Sequence, residues 1–326
     1  IYGYNRNTNP ELTKIKGLTA FSHVLTESNT THKSVPMLMS SVTAHDFNSI
    51  YRQKGIITAF KEAGYRTAFF SNQRYNHSFI DFFGKEADIC DFIKEDTGDG
   101  SYNPSDDELL KLVAAELAEN ASKQFIVLHT YGSHFNYRER YPADNAFFLP
   151  DFPVDAELKY KDNLINAYDN SIRYTDNFLA RLIRMLQEQD IDAAMLYTSD
   201  HGEDIFDDDR HLFLHASPVP SYYQIHVPFL VWMSDNYRKN YPDFLKNAEI
   251  NRQKNISSSA SFFQTMLELG GIDTPSRNDS LSVINASYTE KNRVYLNDHN
   301  EARSLNDIGM REEDFTMLQM KGIVYR

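Results

Sequence analysis

The chain has 326 residues, 41% of them hydrophobic and 24% charged, a balance that supports a substantial buried core and excludes a disordered or fibrous protein. Its 33 basic and 46 acidic side chains leave a formal charge of −13, which excludes nonspecific attraction to nucleic acid or to an anionic membrane surface. Cys90 is the only cysteine, so no intramolecular disulfide forms; there is no signal-peptide pattern and no apolar run near the roughly 18 residues of a membrane span, so this stretch is expected to be soluble.

In chain order, the first notable segment is polar: Glu27-Ser28-Asn29-Thr30-Thr31-His32-Lys33-Ser34-Val35-Pro36. Two adjacent threonines beside a lysine read as a loop, and a hydroxyl there becomes a nucleophile only with a base or a cation beside it. A strand is predicted at 67–71. A helix follows from Ser105, with a capping box formed by Ser105 and Glu108 and apolar Leu109, Leu110, Leu112 and Val113. A second strand, 125–129, runs into His129 and His134, with Gly132 between them. The longest helix places Leu164, Tyr168, Ile172, Thr175, Leu179, Leu182 and Leu186 on one face, a core-facing stripe. Strands at 193–199, 228–233 and 293–297 come next, then a closing pair of strands at 315–320 and 322–325. From about Asn255 the chain is expected to form a helix and a small terminal sheet packed on the main one.

Strands separated by helices predict an α/β fold, with a mostly parallel central sheet covered by helices on both faces and a small C-terminal sheet. Ligands gather at the carboxyl ends of such strands. The strand 193–199 runs straight into Asp200 and His201, with Gly202 allowing a sharp turn. A carboxylate and an imidazole side by side can face one cation, and zinc accepts that mixture of oxygen and nitrogen. His215, after apolar Leu212, Phe213 and Leu214, is a further candidate ligand, with His211 the alternative; the acidic run 207–209 reads as a solvated turn.

Five pieces in this order resemble the soluble catalytic domain of the lipid A and lipopolysaccharide phosphoethanolamine transferases, a sulfatase-like branch of the alkaline phosphatase superfamily. They are Tyr2-Gly3-Tyr4-Asn5-Arg6-Asn7-Thr8-Asn9-Pro10, the Thr30–Pro36 run, Leu164-Ile165-Asn166-Ala167-Tyr168-Asp169-Asn170, Tyr197-Thr198-Ser199-Asp200-His201-Gly202-Glu203, and Phe213-Leu214-His215-Ala216. The resemblance implies a threonine nucleophile at Thr31, with Thr30 the neighbouring alternative, and zinc held by Asp200, His201 and the Thr31 oxygen. It places His134 and His215 where the family binds substrate phosphate or a second metal, and His129, Asn72 and His77 near substrate.

By the same resemblance the reaction is transfer of phosphoethanolamine from phosphatidylethanolamine to a lipid A or lipopolysaccharide glycolipid. The chain would be a single catalytic domain, 1–326, at the periplasmic face of the inner membrane, trimmed of its first strand (with a zinc-ligating glutamate) and of an N-terminal membrane domain. Relatives brace the nucleophile loop with a disulfide; Met37 stands in place of one such cysteine, so packing must hold the loop here. Rival readings are a superfamily hydrolase such as a sulfatase or phosphodiesterase, a phosphoglycerol transferase, or a non-catalytic binding domain. Sulfatases need a Cys/Ser-x-Pro-x-Arg context, which Cys90 lacks.

Overall fold

The run at 66–71 forms the strand Arg66–Ser71 in the computed structural model, which describes residues 1–94 and 103–325. The chain divides into two compact units. The first comprises Ile1–Lys16, Gly64–Asp190 and Ile205–Phe213; the second comprises Gly17–Ala63, Ile191–Asp204 and Leu214–Arg326.

In the first unit, Arg66–Ser71 is the centre of a parallel ladder, with Ile89–Phe92 on one side and Gln124–His129 on the other. Five of its six residues are buried, as expected of a strand covered on both faces. The helix Asp107–Ala118 packs against it and buries Leu109, Leu110 and Val113. Its start differs from the predicted capping box. The Ser105 hydroxyl accepts from Asp107 N at 3.2 Å, while the Glu108 carboxylate turns outward to Lys111 at 2.7 Å. The long helix is Lys161–Gln187. Leu164, Leu179 and Leu182 of its predicted stripe are buried, joined by polar Asn166, Asp169, Asn170 and Asp176. These polar residues hold the chain's first residues: Asp169 accepts from Tyr4 Oη and Arg6, and Asp176 from the amides of Glu11 and Leu12 at 2.9 and 3.0 Å.

In the second unit, Phe229–Met233 is fully buried and lies between Leu18–Ala20 and Ala194–Thr198, antiparallel to both. The α/β architecture is as expected; the three-stranded sheet of the first unit is parallel and that of the second is antiparallel. Around this sheet Phe21, Val24, Val231, Met233, Ile256 and Ile284 form a core. The small C-terminal sheet is Tyr295–Leu296 paired with Ala302–Arg303.

The closing strand pair is not formed. Residues 315–320 belong to the helix Glu312–Met320. Phe315 and Met317 alternate like a strand, but Glu312, Glu313 and Asp314 load the first turn with the negative charge that a helix start favours. The C-terminus is a Schellman motif. Gly322, at φ 71°, donates to Gln319 O, and Ile323 N donates to Leu318 O at 2.9 Å. Ile323 and Leu318 then pack in one apolar cluster.

Candidate active site

The polar cluster, expected to be a loop, is largely a helix start. Thr31–Met39 is helical, Thr30 is its extended N-cap, and Thr31 is its first residue. The amides of Lys33 and Ser34 both donate to Thr30 O, at 3.0 and 2.9 Å. Thr31 Oγ1 therefore sits at the positive end of a helix, where an alkoxide or a phosphate oxygen is stabilised. Met37 is fully buried beneath it. The approach to the helix is pinned by Asn29, which accepts from Tyr295 Oη at 2.6 Å and donates to Ser217 O at 2.9 Å and Gln224 Oε1 at 2.5 Å. Packing and hydrogen bonds thus brace a segment that has no disulfide.

The strand Ala194–Thr198 delivers Asp200 and His201 to the same place. His201 Nε2 lies 3.1 Å from Thr31 Oγ1 and 3.4 Å from Asp200 Oδ2. Ser34 Oγ, one turn along the helix, is 3.4 Å from the same Asp200 oxygen. His201 Nδ1 faces Gly202 O at 3.0 Å; since a carbonyl only accepts, the neutral ring carries its hydrogen on Nδ1 and leaves Nε2 with a lone pair toward Thr31. Thr30 Oγ1 instead faces Ser28 Oγ at 3.2 Å.

These donors suit zinc. Four ligands at about 2.0 Å in a tetrahedron stand about 3.3 Å apart, and the oxygen–nitrogen–oxygen separations here are 3.1 and 3.4 Å. Among the described residues, no three His, Cys, Asp or Glu side chains form a metal cluster; here the third donor is a threonine hydroxyl.

The turn holding this pair is built by close approach. Gly202 keeps an ordinary φ; what requires glycine is the Tyr223 carbonyl oxygen, which would lie 2.1 Å from an added Cβ. Gly202 N donates to Gln224 O at 2.8 Å, and Thr26 Oγ1 donates to Asp200 O at 2.8 Å. Buried Asp204 accepts from Ser221 Oγ and from Gln224 Nε2, fixing the opposite side.

His215 lies against this centre: its ring centroid is 3.9 Å from that of His201, and its Nδ1 is 3.2 Å from Glu203 Oε1. It is flanked by Leu214 at φ 68° and Ala216 at φ 64°, left-handed backbone that non-glycine residues seldom adopt. Ala216 N donates to Asn29 O, tying this strained stretch to the nucleophile helix.

Two ionisable neighbours are shifted by burial. Lys33 points away from the centre, to Asn297 O at 2.6 Å and Asp298 at 3.7 Å, and burial lowers its pKa. Glu27 is buried and bonded by Ser259, and burial raises its carboxyl.

The structure thus brings together Thr31, Asp200, His201 and His215. His134, His129, Asn72 and His77, and the alternative His211, belong to the first unit. There His134 Nδ1 faces Phe135 O, His129 faces Ser71 Oγ at 2.9 Å, and buried Asn72 donates to Pro104 O and to Asp106 Oδ1. His77 is exposed, with its ring edge-on to Tyr75. Thr26, Ser34, Glu203 and Asp204 were missed by sequence reading. Glu203 had a signal, adjacency to Asp200-His201; the others are marked only by distant partners.

A helix-start hydroxyl facing an Asp-His pair at a strand end, on an α/β scaffold, defines the class. The family model described as Sulfatase matches residues 1–272, and the chain belongs to that family. Within it the chain is similar to phosphoethanolamine transferases, as its motifs implied. It is 26% identical over 305 residues to phosphoethanolamine transferase EptC of Escherichia coli O18:K1:H7, covering 90% of this chain and 52% of that protein. It is 32% identical over 269 residues to the Kdo(2)-lipid A phosphoethanolamine 7''-transferase of E. coli K12, covering 78% and 45%. The chain therefore spans about half the length of the curated relatives it matches. Its fold is shared with the C-terminal periplasmic domain of E. coli EptC, solved in complex with Zn, at a TM-score of 0.83, 24% identity and coverage of 94% and 88%. It is shared also with the integral membrane protein lipooligosaccharide phosphoethanolamine transferase A of Neisseria meningitidis, at 0.76, 23% identity and coverage of 86% and 54%. No helix of the described residues is long and apolar enough to cross a membrane.

Proposed function

We propose that the chain is the catalytic part of a zinc-dependent transferase that moves phosphoethanolamine from phosphatidylethanolamine to a lipid A or lipopolysaccharide acceptor through Thr31. The observation that carries this reading is Thr31 Oγ1 at a helix N-terminus, 3.1 Å from His201 Nε2 and beside Asp200. The similarity to named phosphoethanolamine transferases supplies the transferred group, and the zinc complex of a structural relative supports the metal.

Thr31, Asp200 and His201 would hold zinc, whose charge lowers the hydroxyl pKa and neutralises phosphoryl oxygens. Thr31 Oγ1 attacks phosphorus; the bond to the diacylglycerol oxygen breaks, and that oxygen takes up a proton as Thr31 loses one. The helix N-terminus stabilises the phosphoryl oxygens of the phosphoethanolamine-threonine so formed. His215, held by Glu203, is placed to donate the proton to the leaving oxygen and recover it from the incoming acceptor. An acceptor hydroxyl or phosphate oxygen then attacks phosphorus and restores Thr31.

The roles of His134, His129, Asn72 and His77, the periplasmic setting and the membrane anchorage rest on resemblance. A sulfatase is disfavoured because Cys90, on the strand Ile89–Phe92, lacks the Cys/Ser-x-Pro-x-Arg context that such enzymes need. The test is incubation with labelled phosphatidylethanolamine and zinc, followed by peptide mass analysis. Label is expected on the peptide bearing Thr31 and absent in Thr31→Ala; undiminished label in that variant would overturn the assignment.

A further inference from the structure

Residues 147–153 present three large apolar side chains to solvent: Phe147, Leu149 and Phe152 are 61%, 66% and 70% exposed. This loop is nonetheless fixed. Asn170 Oδ1 accepts from the amides of Phe147 and Phe148 at 2.9 and 2.8 Å, and its Nδ2 donates to Phe148 O at 3.0 Å. Asn166 Nδ2 donates to Pro150 O at 2.8 Å, and Asn163 Nδ2 to Pro153 O at 3.1 Å. The three asparagines stand at i, i+3 and i+7 of the helix Lys161–Gln187, so one helical stripe holds the loop. Two of them belong to the motif 164–170 that the transfer chemistry leaves unused. Asp151, buried between the exposed residues, accepts from Tyr141 Oη at 2.8 Å and pairs with Arg138 at 3.0 Å.

We infer that this loop is a membrane-docking element, and that Phe147, Leu149 and Phe152 enter the interfacial region of a phospholipid bilayer. Apolar side chains free to move would fold back onto the protein; here the backbone holds them outward. Backbone entering a lipid environment needs its polar groups satisfied internally; the asparagine stripe does this for the amides of Phe147 and Phe148 and the carbonyls of Phe148, Pro150 and Pro153, and Pro150 and Pro153 carry no N–H to satisfy. The base of the loop carries arginines stacked on its rings, Arg173 over Phe147 at 4.2 Å and Arg6 over Phe148 at 5.1 Å. Aromatic tips with basic side chains at headgroup level are the pattern of bilayer interfaces. Lipid, rather than another apolar partner, follows from the reading of the protein as a transferase with a lipid donor, and from a solved relative that is an integral membrane protein of which this chain covers 54%. A chain of charge −13 does not dock on an anionic surface by charge, so the contact is apolar and is not weakened by high salt.

The test is co-sedimentation with vesicles of phosphatidylethanolamine and phosphatidylglycerol, without zinc, at low and high salt. The unaltered chain is expected to partition onto vesicles at both salts, and no less at high salt than at low. Changing Phe147, Leu149 and Phe152 together to serine is expected to reduce partitioning by about tenfold or more. Changing Tyr51 and Met320, which are 79% and 76% exposed, to serine is expected to leave it unchanged. No binding by the unaltered chain, equal binding by the triple variant, or equal loss in the control overturns the proposal. So does a dimer in light scattering that the triple variant abolishes, which would assign the patch to a second copy. Vesicle binding here, together with no Thr31 adduct in the separate labelling experiment with zinc, would retain the docking loop and overturn the transfer chemistry instead.

Discussion

Gly202→Ala probes the turn that presents Asp200 and His201. The new Cβ would lie 2.1 Å from the Tyr223 carbonyl oxygen, closer than the 3.0 Å that real Cβ atoms keep, and the clashing atom is backbone. Relief requires a shift of about 1 Å between the turn and residues 222–224, which stretches the 2.8 Å bond from Gly202 N to Gln224 O. Overpacking costs about 1–3 kcal/mol and the lost hydrogen bond about 1 kcal/mol, so the expected loss is about 2–4 kcal/mol in urea denaturation. His201 Nδ1 bonds the Gly202 carbonyl itself, so the ring turns with the peptide and zinc affinity falls by about 10- to 100-fold. A variant within about 0.5 kcal/mol of the parent and with unchanged zinc affinity would refute this account of the turn.

Asp204→Ala leaves Ser221 Oγ and Gln224 Nε2 without their buried acceptor, and denaturant titration should show a loss of about 2–4 kcal/mol. His226 is half-buried, its ring held between Tyr222 Oη and Ser22 O, and desolvation drives its pKa down to about 4 from an ordinary value of 6.5. Its neutral form therefore contributes stability that is full above pH 6.5 and is lost as pH falls toward 4. The loss is about 3 kcal/mol, and His226→Gln should flatten the stability profile across that window. Thr30→Ala should retain the phosphoethanolamine adduct, because Thr30 faces Ser28 rather than His201, whereas Thr31→Ser should form it more slowly; an adduct lost in Thr30→Ala would exchange the two assignments.

Residues whose chemistry is local were legible in the sequence. An apolar run ending in Asp200-His201 announced a strand delivering two ligands, and the order of polar pieces placed Thr31 with them. What was hidden depends on partners far along the chain. Asn166, Asp169 and Asn170 interrupt an amphipathic helix, and their burial makes sense only once Arg6 and the loop 147–153 lie on them. Gly202 was legible as a turn glycine, but the reason for it is Tyr223, twenty-one residues on. The helix Glu312–Met320 resembles a strand in sequence because Phe315 and Met317 alternate over a short window. The acidic first turn and Gly322, which decide the matter, lie at its edges.

Zinc content decides whether Thr31, Asp200 and His201 form one metal-dependent nucleophile centre. Elemental analysis of the zinc-reconstituted protein is expected to give about one zinc or more per chain, and Asp200→Ala and His201→Ala are each expected to lose it. Protein that takes up no zinc, or variants that keep it, would contradict the centre and leave the fold without this chemistry.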